Sequence, residues 1–86
     1  MVHERVRRVI ATVFDRDVAE LPGRLDPQTV DGWSSLRHLR ILLALQEEFG
    51  IDIDPDAAPT LVSDQAMTAF LTAALGLDEL AGQGAP

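Results

Sequence analysis

The stretch that decides the fold is Ser35-Leu36-Arg37-His38-Leu39-Arg40-Ile41-Leu42-Leu43-Ala44-Leu45-Gln46-Glu47-Glu48-Phe49-Gly50. On a helical projection Leu36, Leu39, Ile41, Leu42, Leu43, Leu45 and Phe49 cover more than half the circumference. An apolar arc that wide needs several neighbours, so the spacing predicts a central helix over Ser35–Phe49. Gly50 follows the last periodic residue, where glycine commonly closes a helix.

Working outward toward the N-terminus, Val2, Val6, Val9, Ile10, Val13 and Phe14 recur at helical spacing, with Glu4, Arg5, Arg7 and Arg8 on the other side. This predicts an amphipathic first helix that frays near Asp15–Asp17. Between the two helices, Pro22-Gly23, Asp26-Pro27 and Asp31-Gly32 are turn signals within one short span. Val18, Leu21, Leu25 and Val30 are scattered among them, so residues 17–32 are expected to form a long loop pinned to the core. Toward the C-terminus, Asp54-Pro55 supplies a cap and an initial proline for a one-turn helix over 55–58. Ser63 is the expected N-cap of a last helix, with Val62 and Met67 in hydrophobic-staple positions. Met67, Phe70, Leu71, Ala74 and Leu75 form its stripe, and Gly76 stops it. No segment sustains strand alternation, so the fold class is all-α: a small bundle of three main helices and one short one. Residues 1–77 make the domain, and 78–86 form a flexible tail.

The chain has 86 residues, enough for one core, with 47% hydrophobic and 24% charged residues. No run approaches the length of a membrane span, and Met1–Arg8 lacks a signal-peptide core, so a cytoplasmic protein is expected. Cysteine is absent, which removes disulfides, thiolate metal sites and a protein thiol; any thioester chemistry would need an added sulfur. A net charge of −7 disfavours nucleic acid and anionic membrane as partners. The charge is also lopsided. All seven basic residues are arginines at or before Arg40, whereas residues 41–86 carry eight acids and no base. Such asymmetry suits the steering of partners.

Asp31-Gly32-Trp33-Ser34-Ser35-Leu36 sets a serine where the long loop meets the start of the second helix. First-turn amides lack internal acceptors and the helix macrodipole favours negative charge there, so this is a sound place to hold a phosphodiester. Trp33-Ser34-Ser35-Leu36, the helix Leu39–Leu45, Gln46-Glu47-Glu48-Phe49-Gly50-Ile51 and the acidic Asp52–Asp56 stretch together resemble the acyl and peptidyl carrier family, over residues 4 to 75. In that family the serine of an Asp-Ser-Leu motif bears 4′-phosphopantetheine, and Ser35, followed by Leu36, matches it. The resemblance implies an acyl-carrier-type bundle that is a monomer and not an enzyme. Its arm, donated by coenzyme A through a phosphopantetheinyl transferase, would hold an acyl or aminoacyl thioester. Further implied partners are an acyl- or aminoacyl-loading enzyme and downstream enzymes of a specialised pathway, of the polyketide or nonribosomal-peptide kind. The chain ends soon after the last helix, so a free-standing carrier is expected. The partner-facing surface is expected to comprise Trp33, Ser34, Leu36, Arg37 and Arg40, with Glu47 and Glu48 further along the exposed side.

Two residues depart from the family pattern. Ser34 stands where the family has aspartate, which removes a carboxylate but leaves a hydroxyl able to cap the helix. Arg37 and Arg40 stand where acidic docking residues are common, and are expected to select partners whose docking surface is not basic. Other chemistries fare worse. Ser34 and His38 are spaced to share a helical face, but no nucleophile elbow or third member accompanies them, and His38 is expected among apolar neighbours near Phe49. Asp52-Ile53-Asp54-Pro55-Asp56 begins like a calcium loop, yet an EF-hand would need glycine at Ala57 and glutamate at Ser63. A helix-turn-helix DNA binder conflicts with the net charge.

Overall fold

A computed structural model describes residues 2–76; the tail expected over 78–86 lies outside the described residues. The fold is an all-α bundle. Three helices, α1 (Val2–Val13), α2 (Ser35–Phe49) and α3 (Asp64–Ala74), are joined by segments carrying 3-10 turns at Val18–Glu20 and Pro55–Thr60. There is no strand among the described residues.

Each terminus has a local cause. α1 stops at Val13, before the expected fraying point: Asp15 takes φ of 56°, and the Arg16 amide donates back to Ala11 O. Asp17 then caps the first 3-10 turn by accepting from the Ala19 amide. Gly50 closes α2 in the left-handed conformation, φ 66°, its amide donating to Gln46 O. Gly50 is there because a side chain would strain that backbone. Asp54 caps the second 3-10 segment, which runs on to Thr60 and so exceeds the single turn expected over 55–58. Ser63 caps α3 by accepting from Ala66 N. The staple across that start does not form as expected: Met67 is buried but Val62 remains 43% exposed.

The core consists of Val6, Val9, Ile10 and Ala11 from α1, Ile41, Leu42 and Leu45 from α2, Met67 and Leu71 from α3, and Phe14, Leu21, Leu25, Val30, Ile53 and Leu61 from the connections. The long loop is therefore anchored by its own apolar residues, as their dispersal predicted. The hub is a different helix from the one the hydrophobic count selects. α1 packs against both α2 and α3, while α2 buries one narrow face and leaves Leu36, Leu39 and Leu43 each more than half exposed. These three leucines lie opposite Ile41, Leu42 and Leu45 on the helical wheel, with the bundle on one side only.

The loop is also tied from beneath. Asp64, the first residue of α3, has a side chain with no solvent exposure. Its Oδ1 accepts from the Leu25 amide at 3.0 Å, and its own amide donates to Leu25 O at 3.0 Å. Its Oδ2 meets His3 Nε2 at 2.7 Å and Arg7 Nη1 at 3.4 Å. Arg7, expected on the outer side of α1, instead turns under the loop and donates to the carbonyls of Leu21, Pro22 and Gly23. No buried side-chain nitrogen or oxygen among the described residues lacks a partner, as close packing of polar groups requires.

Candidate functional site

The site begins at the junction of the loop and α2. Gly32 turns the chain with φ of 86°, which a side chain would strain. Ser34 has extended backbone and its Oγ accepts from Arg37 N at 3.1 Å, while its carbonyl accepts from the His38 amide. Ser34 is therefore the N-cap. Ser35 is consequently the first helical residue rather than a cap. It is exposed, and its hydroxyl makes no hydrogen bond among the described residues.

The amides of Ser35 and Leu36, as the first two of α2, have no intrahelical acceptor. The first turns of α1 and α3 contain Glu4 and Asp64, whereas that of α2 contains no acid. The positive end of α2 thus carries no side-chain anion of its own. The cap is made by the neutral hydroxyl of Ser34, which adds no charge at this helix end.

Trp33, Phe14 and His38 form a small aromatic assembly at the junction of the loop and α2. Trp33 is half-buried, its ring 5.7 Å from that of Phe14. Its Nε1–H donates to His38 Nδ1 at 3.2 Å, and His38 Nε2 meets Ala58 O at 3.0 Å. The indole can only donate, so Nδ1 is the acceptor and the imidazole hydrogen is on Nε2, donating to Ala58. His38 was expected near Phe49; instead it bridges the loop and the second 3-10 segment. It makes no hydrogen bond to Ser34, so the serine–histidine pair considered from spacing does not form.

The two arginines expected side by side on the surface separate. Arg37 is half-buried, its guanidinium carbon 5.0 Å from the centroid of the Phe14 ring, a cation–π arrangement that also compensates for a cation at the wrong end of a helix. Arg40 is exposed and has no ion-pair or hydrogen-bond partner among the described residues. It lies within the exposed row Leu36–Leu39–Leu43, at the position that shares a face with Leu36 and Leu43. Of the expected partner-facing residues, Ser34, Leu36 and Arg40 are exposed, whereas Trp33 is half-buried against Phe14.

Glu47 and Glu48 lie roughly 20 Å along α2 from Ser35 at the helical rise. Glu48 accepts from Arg5 Nε at 3.0 Å, and the Arg5 guanidinium carbon sits 4.3 Å over Phe49. With Arg5, Arg8 and Thr12 these glutamates border an open groove of about 500 Å³ between α1 and α2. Both glutamates are exposed; Glu48 is paired with Arg5, and Glu47 lines the same groove. Leu39 and Leu43 are exposed on α2, although their place in the apolar arc predicted packing.

No family model matches this chain. No helix among the described residues is long and apolar enough to cross a membrane.

Proposed function

We propose that this protein is a carrier whose Ser35 bears 4′-phosphopantetheine and presents a thioester-bound acyl or aminoacyl group to partner enzymes. The observation that carries this reading is the division of labour between adjacent serines. Ser34 caps α2, so Ser35 is left exposed with a free hydroxyl at a helix end that lacks an anion. In the transfer, Ser35 Oγ would form a bond to the phosphorus attached to the pantetheine. The anhydride bond to 3′,5′-ADP breaks, and the serine proton passes to a base of the transferase. The product phosphodiester is monoanionic and meets the free amides of Ser35 and Leu36. The absence of cysteine fits a design in which the arm supplies the only thiol. The row Leu36, Leu39 and Leu43, interrupted by the unpaired Arg40, would form the docking face.

Intact mass spectrometry after incubation with coenzyme A and a broad-specificity phosphopantetheinyl transferase tests the reading. One added phosphopantetheine is expected on the parent and on Ser34→Ala, and none on Ser35→Ala. No addition with any transferase would favour an unmodified helical interaction module, which could use the same exposed leucines.

A further inference from the structure

We propose that the outward face of α2 takes an acid-bearing amphipathic helix of a partner protein, held by Leu36, Leu39 and Leu43 and fixed in register by Arg40. The three leucines are 58%, 53% and 51% exposed. With Arg40 and Glu47 they fall within about 100° of the helix circumference, at the helical repeat of 3.6 residues per turn. The bundle covers the other side of α2, where Ile41, Leu42 and Leu45 are buried. From Leu36 to Glu47 the stripe is about 17 Å long, which a helix of three turns would match.

Charge chooses the occupant. Arg5 and Arg24 are ion-paired, Arg7 is tied to Asp64 and the loop carbonyls, and Arg37 lies over Phe14. Arg40, inside the leucine row, and Arg8, which lines the adjoining groove with Ala44, are exposed and have no ion pair among the described residues. No acid occurs on α2 before Glu47. The Ser35 end of this face is therefore cationic on a chain of net charge −7, so an acidic partner is attracted here and repelled by the chain as a whole. Glu47, exposed and likewise without an ion pair among the described residues, calls for a cation at the far end of the partner helix.

A second copy of this chain does not meet these demands. Two antiparallel α2 helices that match Leu36 with Leu43 and Leu39 with Leu39 bring both Arg40 side chains to the twofold axis with no acid beside them. Like charges so placed oppose docking. Sliding the pair until Arg40 meets Glu47 sets Leu39 against Glu48 and carries Leu36 past the end of the opposite helix at Gly50. Three half-exposed leucines also supply only a small part of the roughly 800 Å² per partner of a stable interface, so the contact is transient. The face exists on the unmodified chain; only the identification of the partner as an enzyme that acts on the arm rests on the reading of Ser35.

Two synthetic helical peptides test this, both acetylated, amidated and carrying the same leucine row, one flanked by glutamates and the other by arginines. Each is titrated into the isotope-labelled, unmodified full chain, up to about 1 mM peptide, and the amide resonances are followed by NMR. The glutamate peptide is expected to shift the amides of residues 36–43 and to bind about three- to fivefold tighter than the arginine peptide, the scale of one exposed ion pair. The net charge of −7 alone predicts the opposite preference. Arg40→Glu should reverse the order of the two peptides, and Leu39→Gln should weaken both. The parent's own preference needs no variant: equal or tighter binding of the arginine peptide, or no shift in α2 with either, overturns the proposal. The same amides moving on dilution of the parent would put a second copy on this face. Their moving in Leu80→Gln without peptide would put the chain's own Leu77–Leu80 segment there, and either result overturns the partner helix. Loading of Ser35 is read separately. Loading without peptide binding removes this docking face and leaves the carrier reading; peptide binding without loading leaves the face on an unmodified interaction module.

Discussion

Replacing Asp64 with alanine should loosen the whole loop side of the bundle, although Asp64 is on the first turn of α3. The side chain has no solvent exposure and accepts from the Leu25 amide, His3 and Arg7. Removing it strands the Leu25 N–H in the interior, at a cost of about 1–3 kcal/mol, and removes charge-assisted bonds to Arg7 and His3. The His3 share is discounted, since its side chain is 45% exposed and water screens it. Arg7 keeps its three loop carbonyls, and the amide of residue 64 still donates to Leu25 O, so the loop loses one of its ties rather than all. The net expectation is a loss of about 2–4 kcal/mol, a large part of the roughly 5–10 kcal/mol available to a domain of this size. Urea unfolding followed by far-UV circular dichroism should show a midpoint lower by about 1 M or more.

Asp64→Asn separates the acceptor from the charge, because its amide oxygen can still receive the Leu25 N–H. The Asp64 carboxyl is held below its ordinary value of 3.8: burial pushes it upward, but the Leu25 amide, the His3 hydrogen bond and the charges of His3 and Arg7 outweigh that. A depressed carboxyl contributes stability that is fully present above the unfolded value and is lost as pH falls through the folded one. The parent should therefore lose more stability than Asp64→Asn as pH falls below about 4. Asp26, also held low chiefly by its hydrogen bond from Arg24, contributes equally to both proteins and cancels in the comparison. An alanine variant within about 0.5 kcal/mol of the parent at pH 7, or superimposable acid limbs for the parent and Asp64→Asn, would refute the account.

Three further outcomes are expected. Ser34→Ala should cost about 1 kcal/mol as a lost cap, and Ser35→Ala less than about 0.5 kcal/mol, measured by urea unfolding; equal costs would reverse the assignment of the cap. Leu39→Gln and Leu43→Gln should each leave stability within about 0.5 kcal/mol and slow loading of Ser35, whereas Leu45→Ala should cost about 2–5 kcal/mol; large stability losses at Leu39 or Leu43 would mean that they pack inward. Arg37→Lys keeps the first-turn charge and should lower the urea midpoint by losing up to about 0.5–1 kcal/mol of contact with Phe14, while Arg40→Lys should leave it unchanged. Identical behaviour of the two variants would contradict their separation.

What could be read from the sequence follows from what is local. Helix ends are set within a few residues, so Gly50 and Ser63 were legible, as was the pinning of the loop by Leu21, Leu25 and Val30. Apolar periodicity also located all three helices. It could not say which leucines of α2 turn inward, because a count of apolar residues is blind to the difference between a core face and a surface kept for another molecule. The wheel position of Leu36, Leu39 and Leu43 opposite Ile41, Leu42 and Leu45 was a usable signal, and it argued against a helix surrounded by its own chain. Long-range polar ties left no such trace. His3 and Arg7 reach Asp64 across 61 and 57 residues, and His38 joins Trp33 to Ala58 across a turn and a loop. Both features also bear on Ser35. The clasp at Asp64 fixes the middle of the loop to α1 and α3, and the His38 bridge fixes its end to α2. Ser35 follows directly after the second of these. Ser35 therefore stands at a helix start whose flanking loop is tied both at its middle and at its end.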